Sequence, residues 1–354
     1  MRSRYEEIAR MAGVSLATVY RVMNRRGQAN VRAATGERVR AAAGKLGING
    51  RANPKSKLLA FLMGNRNVLH PFHSRILAGA ETQCMRSDYN LVILSVHYSC
   101  SVNWKKLHLP RMSQLRDIVD GFIVVGENSQ NLLDLLAHTG LPCVVQGNSV
   151  RDPWRSGEYD TVYFDDIKGG RQMTRYLQSL GHRDIWFIGN RQSATFDRTY
   201  QGYEQAMSEA RLVPRSEGFD AGHREVGYLS TLALLDRGEP VTAIFAGSDP
   251  TAVGVYQALR EGDKRVPDDI SVVGFDDIEA RMLQPPLTTA HIYLQEIGKK
   301  LAELVLKRIA DPNLPRQEVS IHTEIVRRES CRHVFPQAEL HRAGTPSARR
   351  ETER

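Results

Sequence analysis

From Leu58 onward the chain alternates between short, almost continuous apolar runs and longer stretches whose apolar residues recur at helical spacing. The runs are LLAFLM (58–63), NLVILSV (90–96), GFIVVG (121–126), PCVVQG (142–147), TVYFDD (161–166), IWFIGN (185–190), TAIFAGSD (242–249) and ISVVGFDD (270–277). Between them lie amphipathic segments such as GGRQMTRYLQSLGH, TAVGVYQALREG and EIGKKLAELVLKRI. Strands that are apolar along their whole length, separated by helices, predict parallel sheets covered on both faces. So many units over about 280 residues predict an α/β architecture of two doubly wound lobes rather than one.

The opening segment follows a different pattern. It predicts three short helices, at about 5–11, 16–24 and 32–46. Gly13 suits the tight turn between the first two, Ser15 is a good N-cap, and Val14 with Val19 has the spacing of a hydrophobic staple. Gly36 and Gly44 weaken the third helix, by ~1 kcal/mol each relative to alanine where solvent-exposed. Thr18, Val19, Val22 and Met23 share one face of the second helix and can pack on Ile8, Ala9 and Ala12. Leu16, Ala17, Tyr20, Arg21 and Asn24 share the opposite face. The domain organisation expected is a headpiece over 1–48, a short linker over 49–57, a two-lobed domain over 58–335 and a disordered basic tail over 336–354.

Charge separates these parts. The net charge is +8, yet the first 57 residues hold thirteen Lys/Arg against Glu6, Glu7 and Glu37, which leaves the rest of the chain slightly acidic. A basic module of this kind points to a polyanion. A helix, a glycine turn and a capped second helix read together as a helix-turn-helix. On its outer face, Leu16 and Ala17 suit thymine methyls better than water, and Arg21 can reach guanine or phosphate.

Other classes find little support. No run reaches membrane-spanning length and no apolar signal core opens the chain, so a cytoplasmic location is expected. The four cysteines (Cys84, Cys100, Cys143, Cys331) lie far apart, and reduced thiols are expected. His70 and His73 have a metal-like spacing without further ligands, so neither metal nor cofactor is expected. GxGxxG, P-loop and GxSxG motifs are missing, and the paired acids at 165–166 and 276–277 read as caps or ligand contacts, so no enzyme is expected.

EEIARMAGVSLATVYRVMN (6–24), LGHRDIWFIG (180–189), AIFAGSDPTAVGVYQAL (243–259) and VPDDISVVGFDDIEARMLQPPLTT (266–289) resemble, in order and spacing, the signatures of the lactose-repressor/galactose-repressor family of bacterial transcription regulators. The resemblance covers roughly residues 4–330. It implies a homodimer whose headpieces bind double-stranded DNA at a near-palindromic operator. It also implies a periplasmic-binding-protein-like domain that takes a small effector between its lobes, with a carbohydrate as the first expectation. DNA contact is then expected from Ser15, Leu16, Ala17, Thr18, Tyr20, Arg21, Asn24 and Arg25, and effector contact from Phe72, His73, Arg198, Ser248, Asp249 and Asp276.

The chain departs from the family in several places. Tyr20 stands where serine is usual, which implies an altered operator preference. The linker is several residues short and has no leucine between Leu46 and Leu58, so the family's minor-groove hinge wedge is not expected. Ser248 replaces an asparagine. Thr199 occupies the effector-arginine position, and Arg198, one residue earlier, can take that role. Trp154 is a candidate for sugar stacking, whereas Trp186 belongs to the core. The reading that competes is a transport-type binding protein of the same two-lobed fold, without DNA function. The basic headpiece and the missing signal core argue against it.

Overall fold

The computed structural model describes residues 4–23, 31–46, 56–107, 109, 118–151, 155–192 and 194–334. Asn24, Arg25, Trp154, most of the linker and the expected tail lie outside the described residues. The chain divides into two compact units, Met1–Lys57 and Leu58–Arg354.

In the first unit, α1 (Arg4–Ala12), α2 (Leu16–Met23) and α3 (Ala33–Lys45) follow the predicted helices closely. Gly13 turns the chain with a φ of +63°, a conformation glycine adopts without a Cβ penalty. The Ser15 hydroxyl accepts from the Thr18 amide at 3.1 Å and so caps α2. Ile8, Ala9, Ala12, Val19, Val22, Val39, Ala42 and Ala43 close over one small core, with Val14 packed beside them. The apolar face of α2 is thereby consumed, and Leu16, Ala17, Tyr20 and Arg21 stay exposed on the other side.

The second unit contains two six-stranded sheets. One has the order β11-β5-β4-β3-β1-β2 and the other β12-β10-β9-β8-β6-β7. The first lobe uses β1 (Leu58–Gly64), α4 (Pro71–Arg86), β2 (Asn90–Val96), β3 (Gly121–Gly126), α5 (Gln130–Ala137), β4 (Cys143–Gln146) and β5 (Asp160–Phe164). The chain then crosses to the second lobe. There it builds α6 (Asp166–Ser179), β6 (Ile185–Ile188), α7 (Ala194–Glu209), β7 (Arg215–Glu217), α8 (His223–Asp236), β8 (Ala243–Ala246), α9 (Asp249–Glu261), β9 (Ser271–Asp276) and β10 (Thr288–Ile292). It returns as α10 (Leu294–Ala310) and β11 (Glu318–Ile321), then crosses once more into β12 (Thr323–Val326).

All recorded strand pairs are parallel except β10 with β12. The eight predicted runs correspond to β1–β6, β8 and β9. The short β7 and the strands β10, β11 and β12 were not predicted, because their exposed or Thr-rich sequences lack a continuous apolar run. Trp186 is buried in β6 and donates its indole N–H to the Pro240 carbonyl at 3.1 Å, in keeping with a core role.

The crossings leave from β5, β10 and β11, strands at one side of each sheet. A buried ion pair reinforces this side. Arg308 near the end of α10 donates to both oxygens of Asp160 at 2.8 and 2.9 Å, and the Gln317 amide adds a third bond at 2.9 Å. No described helix is long and apolar enough to cross a membrane.

Candidate functional site

Parallel strands in open α/β sheets direct their C-terminal ends toward ligand crevices. Here the ends of both sheets face a cavity of about 720 Å³. The first lobe contributes the end of β5, the turns after β1, β3 and β4, and the first turn of α4. The second contributes the turns after β8 and β9 and the starts of α7 and α8. Phe72, Phe164 and Phe196 form apolar walls, with the rings of Phe72 and Phe164 6.2 Å apart. Gly247 is required beside Phe196, because a Cβ there would collide with the ring.

Four of the six expected effector residues line this cavity: Phe72, His73, Ser248 and Asp276. Asp276 ends β9 with a φ of +120°, a backbone conformation that is strained for a non-glycine residue. Burial, aided by the carboxylates of Asp249 and Glu279, pushes its acid well above the usual range. Ser248 caps α9 through the Thr251 amide at 3.3 Å and bonds the His223 ring at 3.2 Å.

The other two have internal partners. Asp249 is buried, accepting from the Thr289 hydroxyl at 2.6 Å and the Ile278 amide at 2.7 Å, and so pins the turn after β9. Arg198 on α7 directs its Nε to both oxygens of the fully buried Asp166, at 2.9 and 3.0 Å. Asn148, which lines the cavity, donates to the same carboxylate at 2.9 Å. Arg198 therefore stands one side chain behind the cavity wall.

Sequence reasoning passed over other lining residues. His70 and His223 join His73 in the cavity from opposite lobes, with ring centroids of 5.9 Å for His70–His73 and 6.4 Å for His70–His223. The HPFH motif drew attention to His70, but only for metal spacing. Nothing local marks His223, since a helix-start histidine is unremarkable until the opposite lobe is placed. Burial, then neighbouring positive groups, lowers His73 to about 3 and His223 to about 4. The charged side chains are mostly paired: Arg66 with Glu127 at 2.6 Å, and Arg224 with Glu279 at 2.8 Å. Arg75 on α4 reaches across the lobes to the Asp277 carbonyl at 3.3 Å.

On the headpiece, Leu16, Ala17, Tyr20 and Arg21 share the exposed face of α2, while half-buried Thr18 bonds the exposed Ser15 hydroxyl at 2.9 Å near its start. Leu16 is 36% and Tyr20 45% exposed, high for residues of their size. The Tyr20 ring stands edge-on to Tyr5, with centroids 4.9 Å apart.

The chain is similar to known proteins over most of its length. Residues 5–48 match the model of bacterial regulatory proteins, lacI family, and residues 174–331 match that of a periplasmic binding protein-like domain. The ribose operon repressor of Haemophilus influenzae is 32% identical, the match covering 92% of this chain and 97% of the relative. The HTH-type transcriptional repressor PurR of Pasteurella multocida is also 32% identical, over 92% and 98%. Among solved structures, a transcriptional regulator CelR–cellobiose complex superimposes with a TM-score of 0.68 at 29% identity, covering 93% of this chain and 100% of that one. These relatives are regulators, not enzymes.

Proposed function

Since this chain belongs to the lacI family of bacterial regulatory proteins, we propose that it is a cytoplasmic homodimeric repressor whose grip on a near-palindromic operator is set by a carbohydrate bound between its lobes. The cavity at the strand ends carries this reading. It is within the usual volume range for a small-molecule site, has flat aromatic walls suited to a sugar face, and is lined from both lobes. A ligand held by both lobes has different affinity for their open and closed arrangements, which is the condition for moving a two-state switch. Relatives named for ribose and cellobiose support a sugar, and the exposed face of α2 supports DNA contact.

Within that reading Leu16, Ala17 and Tyr20 meet base edges and sugar, while Ser15, Thr18, Arg21, Asn24 and Arg25 hold the backbone. Phe72 stacks on the effector, and His73, Ser248 and Asp276 hydrogen-bond it. Asp249 and Arg198 act behind them by fixing the cavity wall.

Two measurements test the proposal. Genome-wide mapping of bound DNA identifies the operator, and titration on that operator at rising salt follows the electrostatic part of the affinity. A log–log slope of about −0.9 per neutralised phosphate is expected. Adding sugars suggested by the neighbouring genes should then change operator affinity. A salt-insensitive or undetectable interaction with DNA would sink the regulator reading. Operator binding that responds to purines and to no sugar would sink the carbohydrate.

A further inference from the structure

Two buried polar atoms at the cavity have no hydrogen-bond partner among the described residues: His73 Nδ1 and Glu279 Oε2. His73 is 8% exposed, and Glu279 is held by Arg224 through its other oxygen. A buried polar atom left without a partner is costly, so its retention calls for an explanation. His70 stands between His73 and His223, with ring centroids 5.9 and 6.4 Å away, and His223 comes from the opposite lobe. We propose that His70, His73, His223 and Glu279 form a lobe-bridging subsite that binds an uncharged, hydroxyl-bearing end of the effector and discriminates against its acid counterparts. The inference rests on the carbohydrate reading and narrows it.

The chemistry follows from donor and acceptor inventory. A neutral imidazole offers one N–H and one lone pair, and an ionised carboxylate offers only lone pairs. A hydroxyl both donates and accepts, so adjacent hydroxyls can give a proton to Glu279 Oε2 and complete the imidazoles. An oxyanion can only accept. It would leave Glu279 Oε2 unpaired and face its charge.

Both arginines of the described lining are engaged with carboxylates, and Arg75 bonds the Asp277 carbonyl. Arg66 is tied to Glu127, which Arg151 also contacts, and Arg224 is tied to Glu279. Arg198, which the family resemblance offered as a clamp for effector hydroxyls or carboxylate, is tied to Asp166. Burial keeps the histidines themselves uncharged at neutral pH. It lowers His70 as well, with Arg66 adding to the effect and Glu279 opposing it.

Calorimetric titration of the full-length chain tests this with a panel of neutral pentoses, hexoses and disaccharides, each paired with its aldonate or phosphate ester. At least one neutral sugar should bind, with a preference of about 10-fold or more over its matched acid. Glu279→Gln removes the carboxylate charge at nearly constant shape, and the preference should fall toward unity. His223→Ala should weaken the neutral sugar by about 10-fold. Melting curves without sugar confirm that each variant is folded. An acid that binds wild type as tightly as its neutral parent overturns the proposal, as does a neutral-to-acid preference that Glu279→Gln leaves unchanged. In either case a sugar has bound, so the carbohydrate reading survives. A panel in which no sugar binds overturns both.

Discussion

Arg198 faces Asp166 across 2.9 and 3.0 Å, and Asp166 is completely buried. Burial pushes the Asp166 carboxyl up while the guanidinium and Asn148 pull it back, so the acid depends on its partners. Arg198→Ala would strand it. The expected cost is about 3 kcal/mol, read as a lower urea midpoint, and Arg198→Ala with Asp166→Asn should recover part of it. If Arg198→Ala weakens effector binding but leaves stability untouched, the arginine serves the ligand rather than the wall.

On the proposed reading, the edge-on contact between Tyr20 and Tyr5 sets how Tyr20 meets the operator. It props a large ring on the outer face of α2 without drawing it into the core. Tyr20→Ser should cost less than ~1 kcal/mol of stability, as expected for a partly exposed position. Its effect should appear instead in sequence preference, measured by selection from a randomised operator library. The same preferred site for both proteins would count against a role for Tyr20 in recognition.

The side of the first lobe where the chain crosses depends on Asp160. Its burial opposes ionisation, but Arg308, the Gln317 amide and Arg316 hold its acid below the usual range. Removing one partner of a buried ion pair leaves the other uncompensated. Asp160→Ala should therefore cost about 3–5 kcal/mol in denaturant unfolding. A loss under ~1 kcal/mol would mean that β5, β11 and α10 are held by apolar packing alone.

Acid should expose the buried histidines. His73 and His223 sit at about 3 and about 4 when folded, and burial also lowers His182 to about 4, all below the ordinary 6.5. The unfolded chain binds more protons across that interval. Their contribution is complete above pH 6.5 and is lost as pH falls toward 4. Buried Asp166, Asp249 and Asp276 are raised and act in the opposite sense, so the informative quantity is a difference. Between pH 7 and pH 5, His73→Gln should lose less stability than wild type, by about 1–2 kcal/mol. Equal losses in the two proteins would refute a buried neutral His73.

Local rules carried much of this protein into its sequence. Eight apolar runs became eight strands; seven are largely buried, as a strand covered on both faces must be apolar along its length, while β2 at the sheet edge stays partly exposed. Ser15, Gly13 and the spacing of Val19 and Val22 specified a capped helix after a tight turn, which depends only on neighbouring residues. Position in the family's motifs also led to Phe72, His73, Ser248 and Asp276, because residues at strand ends and helix starts face the cleft in this fold.

What the tertiary structure alone decided is which polar groups meet. Arg198 was available as a ligand clamp until folding placed Asp166, 32 positions earlier, beside it. His70 and His223 belong to different lobes, and no periodicity connects them. Their approach depends on the chain crossing between the sheets, as does the unpaired oxygen of Glu279. Sequence patterns determine which face of an element is buried, but hydrogen-bond partners and protonation depend on distances set by long-range packing.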